Sequence, residues 1–90
     1  MLIVFFLLSA TLALMNKLRN KEQIAKLGER LRMLRASKQL SLEQLAYEAE
    51  VEISQIHRIE KAKINPTYTT LLALAAGLGI NISELVKLED

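Results

Sequence analysis

The sequence predicts an all-α fold: five short helices behind an apolar N-terminal extension. Leu, Ile and Ala dominate and aromatic residues make up only 4% of the chain, a composition that suits a helical bundle. After Asn16, apolar residues recur at spacings of three and four in one stretch after another, which is the period of a helix with one buried face. One proline and three glycines leave little of the chain for linkers. Ninety residues support one domain. Residues 16–90 read as that domain and residues 1–15 as a separate apolar segment.

Met1 to Met15, MLIVFFLLSATLALM, is apolar except for Ser9 and Thr11. It has no stripe, because it is apolar on every side. A spanning helix needs roughly 17–25 apolar residues, and this run falls short. It lacks the basic start and the small-residue cleavage site of a secretory signal. Lys17, Arg19 and Lys21 follow it and would keep the rest of the chain cytoplasmic if the run inserted. Three readings stand: a short membrane anchor, a helix packed on the domain or on a partner chain, or an extension outside the functional chain, which would then start at Met15. An exposed run this apolar promotes association.

The first helix of the domain is expected from about Lys21 to Ser37, with Ile24, Leu27, Leu31 and Leu34 as its stripe. Lys26, Glu29, Arg30 and Arg32 fill its other faces. Gly28 weakens the helix by ~1 kcal/mol against Ala. Ser37 to Gln39 form the exit and Leu40 turns back into the core. Ser41 begins the second helix, and Gln44 three residues later completes a capping-box pattern. Its apolar positions are Leu42, Leu45, Ala46 and Ala49, and Glu50-Val51-Glu52 is the turn after it. The third helix covers about Ile53 to Lys61. At ~100° per residue, Ile56 and Ile59 centre its inward face and Ser54, Arg58 and Lys61 lie opposite, with His57 at their edge. Pro66 closes the next loop. Thr67 caps a fourth helix, about Tyr68 to Leu78, with Tyr68, Leu71, Leu74, Ala75 and Leu78 inward, and Gly79 stops it. Ser83 is expected to cap a last short helix, Glu84 to about Leu88, with Ile82 and Leu85 inward. The domain is expected to end there, with no effector-binding or catalytic domain after it.

The net charge is +2, unevenly spread. Asn16 to Leu40 carries eight Lys/Arg against two Glu, and Ser41 to Lys63 carries five Glu against three Lys/Arg. The basic part can favour a polyanion, or can be a solvated helix surface. The absence of cysteine excludes a disulfide framework and a thiolate metal site, and the one histidine, His57, cannot make a metal site unaided. There is no nucleophile–base pair at suggestive spacing and no phosphate-cradling glycine loop. An enzyme is not expected, nor any bound cofactor.

Ser41 to Lys61, SLEQLAYEAEVEISQIHRIEK, therefore reads as two short helices around a tight turn, the second with a polar outer face. The strings LRMLRASKQLSLEQLA, ISQIHRIEKAKINPT and TLLALAAGLGINISEL carry a wider resemblance. Together they resemble the Cro and phage-repressor type of helix-turn-helix domain, the XRE family, from about Lys26 to Leu88.

The resemblance implies a five-helix phage-repressor-like domain whose third helix lies in the DNA major groove. Ile53, Ser54 and Arg58 take the family's base-facing positions, with Glu52 just before them and Gln55 and His57 as flankers. An arginine fork can bond guanine O6 and N7 together or lie along a phosphate, and both roles stay open for Arg58. His57 is equally read as a solvent-facing residue. Ser41 and Gln44 would help the second helix meet a phosphate. Lys61, Lys63 and Asn65 would meet the next phosphates, and the Tyr68 hydroxyl could reach one although Tyr68 is expected in the core. Arg35 and Glu60 match a structural pair of the family. The resemblance further implies a cytoplasmic, nucleoid-associated, homodimeric regulator of bacterial or phage type.

Three departures from the family pattern stand out. Glu50 takes the place of a small residue or Gly in the turn, Glu52 that of a Ser or Thr, and Leu42 that of a frequent Gln. Glu48, Glu50 and Glu52 put negative charge near the expected DNA face. Glu52 favours the helix N-terminus through the dipole, and its carboxylate could accept from cytosine N4. Three functions stay open: a sequence-specific DNA-binding regulator, a protein-interaction or antitoxin-like adaptor with weak or no DNA binding, and a membrane-tethered regulator.

Overall fold

The structure is a computed structural model that describes residues 1–88. Five helices follow in order: α1 Leu2–Ser37, α2 Leu42–Ala49, α3 Ile53–Glu60, α4 Tyr68–Leu78 and α5 Ile82–Leu85. α1 differs most from expectation. It does not begin near Lys21 but runs unbroken through the apolar segment, 36 residues in all. Gly28 is the first glycine and no proline precedes it, so nothing interrupts the ladder of backbone hydrogen bonds. The apolar run does not pack on its own domain. From Leu2 to Met15 its large apolar side chains stay between 52% and 87% exposed.

The core lies at the other end of α1. Leu31, Leu45, Ile56, Ile59, Leu74 and Leu85 are fully buried, so each helix contributes at least one. Leu34, Leu42, Ala46, Val51, Leu71, Ile80 and Ile82 pack around them, partly buried. α2 packs mainly on α4, and α1 on α3. Both crossings use a glycine. A Cβ at Gly28 would overlap the Ile59 carbonyl oxygen and sit 2.9 Å from that of Glu60. A Cβ at Gly77 would sit 2.8 Å from the Ala49 Cβ. Gly28 is thus a point of backbone approach between α1 and α3.

Arg35 fastens the same two helices. Its Nε and Nη2 donate to the two Glu60 carboxylate oxygens at 2.7 and 2.9 Å, and its Nη1 donates to the Leu40 carbonyl at 2.9 Å. The side chains are 17% and 6% exposed. The hydrogen bond to Glu60 raises the Arg35 pKa above its ordinary high value, against the opposing effect of burial. Its contribution is present at every pH below the ordinary value and is lost only as pH rises through the raised one. Arg30, expected on a solvated face, instead donates through Nε and Nη2 to the Glu84 carbonyl at 3.0 and 2.8 Å. It ties α1 to the end of α5.

Two other expectations change. Tyr68 is not inward: it sits at the first position of α4, 64% exposed, one turn before the stripe meets the core. α5 is capped by Asn81, whose Oδ1 accepts from the Ser83 N–H, so the helix starts at Ile82 and ends at Leu85. Asn is as good a cap as Ser, and it stands two residues earlier.

Gly28→Ala and Gly77→Ala should each lower unfolding free energy by about 1–3 kcal/mol through overpacking, although Ala favours an open helix. Urea unfolding followed by circular dichroism measures this. Arg35→Ala and Glu60→Ala should each cost about 3 kcal/mol, and the double variant clearly less than their sum.

Candidate nucleic-acid interface

α2 and α3 are short because their ends are chemically marked. The Ser41 Oγ accepts from the Gln44 N–H at 3.0 Å, and the Gln44 Oε1 accepts from the Ser41 N–H at 2.7 Å. This closes the capping box. It uses one acceptor on each side chain and leaves the Ser41 hydroxyl hydrogen and the Gln44 amide group free to donate outward. α2 stops at Glu50, which is left-handed (φ 55°), and the Val51 N–H returns to the Ala46 carbonyl at 3.2 Å. Val51 is half-buried there, which fixes the turn. α3 then starts behind Glu52, whose side chain makes no capping bond.

α3 separates its residues by face. Ile56 and Ile59 are fully buried. Ser54, His57 and Arg58 are exposed, as is Lys61 just past the helix end. Among the described residues, none of these four side chains makes a hydrogen bond or an ion pair within the chain. Ile53 is exposed at the start of the same face. Gln55 is different. It is half-buried and its Nε2 donates to Thr70 Oγ1 at 3.5 Å. Its amide is turned toward the start of α4, not presented with the open face.

The loop after α3 is a left-handed cap at Ala62 (φ 58°). The Lys63 N–H donates to the Arg58 carbonyl at 2.8 Å, and Lys63 and Asn65 are exposed beyond it. Thr67 caps α4 by accepting from the Thr70 N–H. Exposed Tyr68 follows, so its hydroxyl is available where a core tyrosine's would not be.

Acidic groups border this face. Glu43, Glu48, Glu50 and Glu52 line an open groove with Tyr47, Val51 and Ile53. Tyr47, 82% exposed, was given no role by its sequence position. Its signal is its place opposite the Leu45–Ala49 stripe of α2.

A capped helix, a tight turn and a second helix with an open polar face define a helix-turn-helix protein. The chain belongs to this family: it matches the family described as "Helix-turn-helix domain" over residues 26–88. It is 37% identical over 59 residues to the immunity repressor protein of Bacillus phage phi105, covering 66% of this chain and 41% of that one. It is 36% identical over 62 residues to the HTH-type transcriptional regulator DdrOP3 of Deinococcus deserti, covering 69% and 48%. The chain thus spans less than half the length of these two relatives. Among solved structures it resembles the restriction-modification controller protein C.AhdI from Aeromonas hydrophila, with a TM-score of 0.67 and 37% identity over 69% of this chain and 94% of that one. Its fold and family are those of DNA-binding transcription regulators. The matched residues begin after the apolar run.

Glu50→Gly should raise stability by ~1 kcal/mol, because a left-handed residue with a Cβ is strained by roughly that amount. A thermal melt by circular dichroism measures it.

Proposed function

We propose that the chain is a sequence-specific, repressor-type DNA-binding regulator that acts as a homodimer on a two-fold-related site. The observation that carries this reading is the outer face of α3: Ser54, His57, Arg58 and Lys61 are exposed and unengaged directly behind the buried Ile56 and Ile59. A groove-bound helix needs rigid backing and free donors.

In this reading α3 enters the major groove with its first turns toward base edges. Arg58 is the principal reader, bidentate to guanine. Ser54 bonds either partner, and Ile53 meets a thymine methyl. His57 flanks them, and Glu52 selects against phosphate or accepts from cytosine. Gln55 acts from the seam with α4. Ser41, Gln44, Lys61, Lys63, Asn65 and Tyr68 bind phosphates and set the register. A dimer supplies two such faces on half-sites about 34 Å apart. Protein and DNA would then meet in the cytoplasm.

The acidic groove of α2 and the turn supports a second reading, a protein-interaction module that keeps the fold without gripping DNA. Co-purification with one partner protein, and no DNA shift at low salt, would favour it.

Selection of bound sequences from a random DNA pool tests the first reading, and two-fold-related half-sites are the expected result. Arg58→Ala should cost ~1–3 kcal/mol on the selected site and relax one base position. Lys63→Ala should weaken all sequences alike and lower the salt slope by about 1. Equal affinity for scrambled DNA, unchanged by Arg58→Ala, would sink the idea.

A further inference from the structure

We propose that the N-terminal part of α1, residues 2–18, crosses a lipid bilayer and holds the helix-turn-helix domain on the cytoplasmic face. Four observations converge on lipid as the occupant of this surface.

The first is its symmetry. Phe5, Phe6, Leu7 and Leu8 are consecutive and all exposed. At ~100° per residue they point to every side of the helix. A second copy, or a partner helix, covers one stripe and leaves the others in water. A helix lying in a membrane surface needs a polar face, and this one has none. A surrounding apolar medium covers all four directions at once.

The second is hydrogen-bond satisfaction of the backbone and of Thr11. The run is continuous helix, the form in which a single segment satisfies its own backbone in hydrocarbon. Thr11 donates its hydroxyl to the Leu7 carbonyl at 2.8 Å, so this polar group needs no water.

The third is length. The run to Met15 alone falls short, but it continues as unbroken helix through Leu18, and α1 as a whole is long and apolar enough to span a membrane by length and composition. Residues 2–18 rise ~26 Å against a hydrocarbon thickness of ~30 Å. Lys17 lies at the edge, where a lysine stem can run along lipid while its ammonium reaches the headgroups. Slight local thinning absorbs the difference.

The fourth is charge. Lys17, Arg19 and Lys21 form a collar immediately after the run, matching anionic headgroups and placing the domain on the cytoplasmic side. From Lys17 to Gly28, where α1 meets α3, the helix continues for ~16 Å without glycine or proline. The joint between lipid and domain is a helical strut.

The test is flotation of the purified full chain with vesicles of phosphatidylcholine and phosphatidylglycerol. The wild-type chain should float, and should resist both an alkaline carbonate wash and about 1 M salt, which screens the collar. Leu7→Lys/Leu8→Lys should cut flotation by about 100-fold with an unchanged thermal transition, since neither side chain touches the domain. Three results would overturn the proposal: release of the wild-type chain by high salt, equal flotation of the double variant, or a discrete lipid-free oligomer that does not partition into vesicles. DNA binding by the double variant in lipid-free solution scores the helix-turn-helix reading separately, so either can fail alone.

Discussion

Helix α1 meets the end of α3 twice, two turns apart. At Gly28 it presents bare backbone to the Ile59 and Glu60 carbonyls. At Arg35 it presents a planar fork to the Glu60 carboxylate. The first contact sets the distance between the helices and the second sets their rotation. Neither can slip without a steric clash or an unpaired, nearly buried carboxylate. The remaining packing follows from this crossing. Ile56 and Ile59 are driven onto Leu31 and Leu45, and the opposite face of α3 is left outward. An outward face is rigid only if its back is.

That face is electrostatically mixed. Arg58, Lys61 and Lys63 lie on and after α3, while four glutamates line the groove along α2 and the turn. A duplex attracts the first set and repels the second. On the proposed DNA-binding reading, such a balance would limit non-specific affinity and leave discrimination to hydrogen bonds at base edges. On the same reading it would give the Ser41 and Gln44 donors and the first amides of α2 added weight, because they would approach phosphate without adding net charge.

Much of this was legible in the sequence. The stripe of α1, the capping box at Ser41, the inward pair of α3 and the Gly79 stop all announce themselves in residue type and spacing. The helix stops elsewhere do not. Gln39, Glu50 and Ala62 hold left-handed caps at φ 55–58°, and none is a residue that advertises that conformation. Their positions are imposed by Leu40, Val51 and Ile64 returning to the core. The spacing of Tyr68 fits the apolar stripe, but its place at the first position of α4 leaves it exposed. Arg30 looked like surface charge, since its acceptor is a backbone carbonyl 54 residues away, and carbonyls leave no mark in a sequence. At the candidate site, composition showed which side chains could bind. It could not show that Gln55 is turned toward Thr70.

The unbroken α1 makes the orientation of α3 a matter of helical phase. A flexible tether would let the domain rotate freely about whatever holds residues 2–18. A continuous helix does not. Each residue inserted between Lys17 and Lys26 would turn the α3 face by ~100° about the α1 axis and lift it by ~1.5 Å. One added residue would aim the face elsewhere, whereas eleven, about three full turns, would nearly restore its heading at a greater height. In the membrane-held form proposed above, this segment would act as a gauge: its length would set both the bearing and the elevation of the α3 face.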